Sequence, residues 1–357
     1  MSEAALLIGS MIVSTVALTA AAPAFAELPS EALVRHIDNH IDSGNYVGVI
    51  VGFVDGDDVY VQAFGTTTKG ARTPPNEHTI FEISSLSKTF AATLLAQAVV
   101  GKRLDLREPA NRYLASDSQL TAYKNQEITL LDLAAHQSGL PYMPADIVQG
   151  EAPNPYAKTA AAALRTSINA FTPTSSPGQG YSYSAFAYGV LALILETTGN
   201  QDFATLVRRD VTAPLGMTDT VMTLDDKQHD RLATGYTPEG EVAQPLDQGV
   251  FRAAGSMYST LHDLMIWLRA NMEPQASPFS DSLTLAHTVQ NDLGTIGLAW
   301  HKTEGFDDRS QYGTAHGYRA YVGFLADGSK GAVLLANTKV DVAALGSHLL
   351  LGTDLPD

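Results

Sequence analysis

Phe81-Glu82-Ile83-Ser84-Ser85-Leu86-Ser87-Lys88-Thr89-Phe90 is the stretch from which the rest of the chain is read. A serine hydroxyl is a poor nucleophile until a base takes its proton, and a lysine three residues later on the same helical face brings an amine within reach. Ser85 and Lys88 thus make a nucleophile with its own base. Phe90, Ala91, Leu94, Leu95, Ala98 and Val99 recur behind them at helical spacing, which predicts a helix anchored in a core with its first turn facing a cleft. Amides of that first turn suit a developing oxyanion. Taken alone, so short a pattern also describes a surface serine and lysine.

A second constellation shifts the balance. Pro177-Gly178-Gln179-Gly180-Tyr181-Ser182-Tyr183-Ser184-Ala185-Phe186-Ala187-Tyr188-Gly189 precedes an apolar helical run, Val190 to Glu196. A tyrosine fixed on a loop before a buried helix can aim its phenol into a cleft, where a nearby Lys88 ammonium favours the phenolate. Tyr183 is the candidate proton shuttle. The plainer alternative is that Tyr181, Tyr183 and Tyr188 are half-buried packing rings.

With both motifs in order, the chain resembles the serine β-lactamase and penicillin-binding superfamily, in the branch of class C β-lactamases, D-alanyl-D-alanine carboxypeptidases and related carboxylesterases. Further phrases support this over nearly the whole chain: Leu104-Asp105-Leu106, Leu133-Ala134-Ala135-His136-Gln137-Ser138-Gly139-Leu140-Pro141, Ala213-Pro214-Leu215-Gly216-Met217-Thr218-Asp219-Thr220 and Ala253-Ala254-Gly255-Ser256-Met257-Tyr258-Ser259-Thr260. The resemblance implies catalysis by Ser85, Lys88 and Tyr183, with the amides of Ser85 and Thr314 as oxyanion hole. It also implies an active site between two lobes.

The third motif of that family is a Lys or His followed two residues later by Gly. Aligning Gly317-Tyr318-Arg319-Ala320-Tyr321-Val322-Gly323-Phe324 with the family's strand places Gln311-Tyr312-Gly313 at the motif, keeping the glycine and losing the cation. The family's Asn two residues after the tyrosine is Ala185 here. Both groups that recognise a β-lactam or peptide in relatives are therefore replaced, and His316 is the nearby alternative cation. The substrate-binding set is Gln311, Gly313, Ala185 and His316. Unpaired polar groups of a substrate are penalised in a buried site, which tilts the expectation towards esters or atypical amides.

Composition fits a large soluble enzyme. A chain of 357 residues with 45% hydrophobic content can bury one large core or two smaller lobes. A net charge of -16 argues against nucleic acid or an anionic membrane as partner. With no cysteine, disulfides and thiolate metal sites are excluded. Ala4 to Ala22 is apolar and ends in Ala24-Phe25-Ala26, the pattern of an export leader over residues 1–26, although Met1-Ser2-Glu3 lacks a cation; a retained membrane anchor is the competing reading. His36 and His40, one turn apart, read as a solvated helix face, and His136 as packing. No Gly-x-Ser-x-Gly elbow is present.

Ser30 is expected to cap a helix through Asp42, followed by strands Val47–Val54 and Val59–Phe64 across the turn Asp55-Gly56-Asp57-Asp58. Strands are also expected at Thr295–Trp300, Arg319–Leu325 and Ala332–Asn337, and a helix at Val342–Leu351. The fold expected is α+β, an α/β sandwich of β-lactamase/transpeptidase type. One domain spans 27–357, with a sheet lobe of about 27–83 and 290–357 and a mainly helical lobe of about 84–289. The function expected is a periplasmic, monomeric serine hydrolase with no cofactor and no metal, acting on a small ester, β-lactam or peptide through an acyl-enzyme. Its rivals are a β-lactamase or D-alanyl-D-alanine carboxypeptidase and a non-catalytic penicillin- or peptidoglycan-binding protein.

Overall fold

A computed structural model describes residues 28–147, 156–291 and 293–356. The expected leader, 1–26, lies outside them. Helix α1 (Glu31–Asp42) starts where Ser30 Oγ accepts the Leu33 N–H, and turns Leu33 and Ile37 inward. Strands β1 (Gly48–Asp55) and β2 (Asp58–Gly65) form the expected hairpin, with Gly56 at φ +59° in its turn. The short β3 (Ile80–Glu82) leads into α2 (Ser87–Val100), and α3 (Ala185–Gly199) follows the tyrosine loop. The short β4 (Tyr258–Thr260) pairs with β3 and runs into α4 (Leu261–Met272). Strands β5 (Asp308–Thr314), β6 (Arg319–Leu325) and β7 (Lys330–Ala336) and helix α5 (Val342–Leu351) complete the sheet lobe.

The antiparallel sheet has the order β2-β1-β7-β6-β5, so the two chain ends meet at the β1–β7 pair and β5 is an edge. Leu33, Ile37, Leu345 and Leu349 of α1 and α5 cover one face. Leu261, Leu264 and Leu268 of α4 cover the other, in one core with α2 and α3. The expected antiparallel sheet built from both chain ends and flanked by helices is thus the architecture found.

Two local expectations are corrected. Thr295–Trp300 is not a strand: Gly297 N–H closes on Trp300 O, and Ala299 takes φ +64°, so a turn outweighs the β-favouring side chains. The strand of this region is β5. Helix α2, expected to bury one side, is buried nearly all round. Its polar residues are accommodated because Ser87, Thr89 and Thr93 donate to the carbonyls of Ser84, Leu86 and Thr89 at 2.6, 2.8 and 2.9 Å.

Glu82, at the end of β3, is buried, with Oε2 accepting the Leu246 N–H at 2.9 Å and Oε1 without a partner among the described residues. Burial raises its carboxyl to about 8. Between about pH 4.5 and 8 the unfolded chain loses this proton while the folded chain keeps it, so folded stability falls as pH rises, by on the order of a few kcal/mol. Glu82→Gln keeps an acceptor for Leu246 and removes the titration. Its melting temperature is therefore expected to drop less than wild type between pH 5 and pH 8, and parallel curves would count against this account.

Candidate active site

Ser85 lies in a tight 3-10 turn, Ser84–Leu86, that runs directly into α2. Ser84 takes φ +45°, a conformation costing a non-glycine residue about 1–3 kcal/mol. The bond from Ser84 Oγ to Thr314 O, 2.8 Å, holds it there. Lys88 projects from the first turn of α2 and is 1% exposed. Its Nζ lies 3.1 Å from Ser85 Oγ and 2.7 Å from Ala254 O. Among the described residues no carboxylate forms an ion pair with Lys88; instead the rings of Tyr183 and Tyr188 face its Nζ at 4.7 and 5.5 Å. Burial without a counter-charge lowers Lys88 to about 7.

Tyr183 sits one residue before Ser184, the N-cap of α3, whose Oγ accepts the Ala187 N–H. The phrase His136–Tyr142 cradles this loop. Ser182 N–H donates to His136 O at 2.8 Å, Ser184 N–H to His136 Nδ1 at 3.1 Å, and Ala185 and Phe186 N–H to Tyr142 O. Ser184 Oγ also reaches Pro141 O at 2.7 Å. The Tyr183 phenol hydrogen-bonds with Ser85, and burial pushes it up to about 12. The expectation that Lys88 favours a phenolate is therefore corrected: desolvation acts against charge on both groups, leaving a neutral phenol beside an amine poised near neutrality.

Strand β5 closes the site from the sheet side. The Ala315 N–H donates inward to the O of Tyr318, the residue just before β6, so alternation turns the N–H and C=O of Thr314 towards the open sheet edge. There the Thr314 carbonyl meets Ser84, so the Thr314 N–H faces the nucleophile turn. Gly313 permits the approach: a Cβ on it would lie 2.1 Å from Ile83 O and 3.2 Å from Ser85 N.

Gln311 is buried, and its side chain is committed internally. Nε2 donates to Ala299 O at 2.8 Å and Oε1 accepts the Tyr312 N–H at 3.0 Å, so in this conformation it offers nothing to a substrate. Ala185 is buried at the start of α3, and His316 is exposed beyond the end of β5.

Several neighbours carry no recognisable sequence signal. His301 bonds through Nε2 to Tyr181 OH at 2.8 Å, and its ring stacks on Tyr183 at 6.4 Å. Burial and Lys88 lower it to about 4, so it is neutral. Tyr142, Tyr181 and Tyr312 are exposed; Tyr142 stacks on Tyr183, and Tyr312 is close enough to Tyr181 to oppose its ionisation. Among the described residues no cluster of three or more His, Cys, Asp or Glu is arranged to hold a metal ion, and no helix is long and apolar enough to cross a membrane.

Comparison with known proteins agrees with this geometry. The family model described as Beta-lactamase matches residues 33–351. A β-lactamase of Pseudomonas fluorescens is 27% identical over 66% of this chain and 64% of its own length. The D-alanyl-D-alanine-carboxypeptidase/endopeptidase AmpH of Escherichia coli K12 is 26% identical over 68% of this chain and 62% of its own. The match thus spans somewhat less than two thirds of these relatives. Among solved structures, a class C β-lactamase superposes with TM-score 0.77 at 21% identity, covering 93% of this chain and 99% of that one. A β-lactamase/D-alanine carboxypeptidase from Yersinia pestis gives 0.73 at 23%, covering 86% and 92%. The turn carrying Ser85, the tyrosine loop and an edge strand converge on one serine, and a family match running almost end to end shows that this chain belongs to the beta-lactamase family.

Proposed function

We propose that this protein hydrolyses uncharged esters through a covalent acyl intermediate on Ser85. The observation that carries the reading is the buried Lys88 amine, 3.1 Å from Ser85 Oγ and lowered to about 7. Lys88 Nζ takes the Ser85 proton as Oγ attacks the carbonyl carbon, and the carbonyl electron pair moves onto oxygen. The N–H groups of Ser85 and Thr314 hold that oxyanion. As the tetrahedral adduct collapses, Tyr183 gives its phenolic proton to the departing oxygen and regains one from Lys88. Water then attacks the acyl ester by the same route, returning the proton to Ser85. Export to the periplasm belongs to this reading, supported by the apolar run and small-residue end within residues 1–26.

Preference for an uncharged substrate is supported by Gln311, whose amide is internally satisfied, by Ala185, which has no polar group, and by the exposed rings of Tyr142, Tyr181 and Tyr312. A second reading, a carboxylate-bearing β-lactam or D-alanyl peptide, has its own support. Arg319 and Lys339 line a pocket of about 370 Å³ with Tyr312 and Thr314, one residue along the strand from Gly313. The relatives' names point the same way.

Ser85→Ala is expected to abolish p-nitrophenyl ester hydrolysis with the fold intact; residual activity within about tenfold of wild type would sink the nucleophile assignment. Lys88→Ala and Tyr183→Phe should each be severely impaired, with losses that do not multiply. Only the neutral amine can accept the serine proton, so kcat/KM should climb with pH through about 7, and a flat profile from pH 5.5 to 8.5 contradicts Lys88 as base. Gly313→Ala should cost at least about a hundredfold in kcat, because its Cβ would push β5 off the nucleophile turn.

Substrate preference is tested by comparing catalytic efficiency on a neutral ester and on a chromogenic cephalosporin. The first reading expects the ester to win by roughly ten- to a hundredfold, the worth of one unmade charge-assisted bond. A faster cephalosporin reaction that Arg319→Ala weakens, while ester turnover persists, would establish the second reading instead.

A further inference from the structure

His136 is wholly buried, as a packing residue should be, yet packing needs none of its other features. Its backbone takes φ +57°, which is strained for a residue with a Cβ. Its carbonyl accepts the Ser182 N–H at 2.8 Å while its ring Nδ1 accepts the Ser184 N–H at 3.1 Å. In an extended segment, N–H groups two residues apart point the same way. One residue therefore grips the chain immediately before and immediately after Tyr183. The imidazole also lies flat enough against the phenol ring to pack on it, with centroids 4.4 Å apart and planes 35° apart.

A backbone N–H can only donate, so Nδ1 must carry a lone pair and the ring proton must sit on Nε2. That Nε2 is buried and has no partner among the described residues. The arrangement thus combines a left-handed backbone, which any residue with a Cβ would find strained here, with an unsatisfied ring N–H, a cost that an apolar side chain would avoid. Burial, together with Lys88 and His301, keeps the imidazole neutral, the form in which Nδ1 can accept. Both of these hydrogen bonds go to the segment carrying Tyr183.

We infer that His136 is a positioning residue, fixing the Tyr183 phenol against Ser85 by accepting the two amide N–H groups that flank it. The inference rests on Tyr183 acting as the proton shuttle. Asparagine places an oxygen near the position of Nδ1 and tolerates a left-handed backbone, so it preserves the clamp; alanine removes the ring acceptor.

The test uses the full chain and four variants, His136→Ala, His136→Asn, Tyr183→Phe and the double variant His136→Ala/Tyr183→Phe. Ester hydrolysis, the rate of Ser85 labelling by a fluorophosphonate and the melting temperature are read for each. His136→Ala is expected to lose roughly a hundredfold in kcat with KM little changed, the cost of misplacing a catalytic group by about 1 Å. His136→Asn should recover to within about tenfold of wild type, and His136→Ala should cost nothing further in the Tyr183→Phe background. Full activity in His136→Ala, equal losses in the alanine and asparagine variants, or independent losses in the double variant would each overturn the clamp. A fully active Tyr183→Phe would instead overturn the shuttle reading itself. Should His136→Ala melt below the assay temperature, His136→Leu takes its place in the same comparisons.

Discussion

Lys88 carries an amine into the interior beside a serine hydroxyl and meets no carboxylate there. An isolated ammonium is so costly away from water that the group gives up its proton readily, and this turns a residue that is normally a cation into a base near neutral pH. Much of the surrounding structure serves that burial. Helix α2 is enclosed on nearly every side, the Ala254 carbonyl gives the amine one fixed partner, and the faces of Tyr183 and Tyr188 supply weak stabilisation to its charged form. The same water exclusion pushes Tyr183 up to about 12, so the two groups differ widely in proton affinity.

Bringing an edge strand against the nucleophile turn is the second requirement, and it is met by small local features. Gly313 leaves room for the Ile83 carbonyl, Ser84 adopts a strained backbone, and its hydroxyl ties the turn to Thr314. Strand alternation then decides which β5 amides face the cleft. These contacts join residues more than two hundred positions apart, so the turn carrying Ser85 and strand β5 meet only in the folded chain.

Recognition chemistry is separable from this machinery. Gln311 is buried, and its amide is satisfied by Ala299 and Tyr312. His301 beside Tyr183 is neutral, whereas Arg319 and Lys339 line a pocket together with Tyr312 and Thr314. Changing the substrate class in such a site does not require changing Ser85, Lys88 or Tyr183.

The sequence by itself determined the elements whose signals are local. Ser30 capping α1, the Asp55–Asp58 hairpin, strand β6 and helix α5 all follow from periodicity, caps and turn residues acting within a few positions. It also exposed the Ser-x-x-Lys and tyrosine motifs, because their spacing is short. Thr295–Trp300 misled because its β-favouring side chains are overruled by a turn fixed through Gly297, Trp300 and Gln311. Only the tertiary structure decided that Gln311 faces inward, that His301 and Tyr181 pair beside the phenol, and that His136 grips the tyrosine loop. Each of these depends on a partner distant in sequence and on the loss of water around it, and neither long-range contact nor desolvation is written in the order of neighbouring residues.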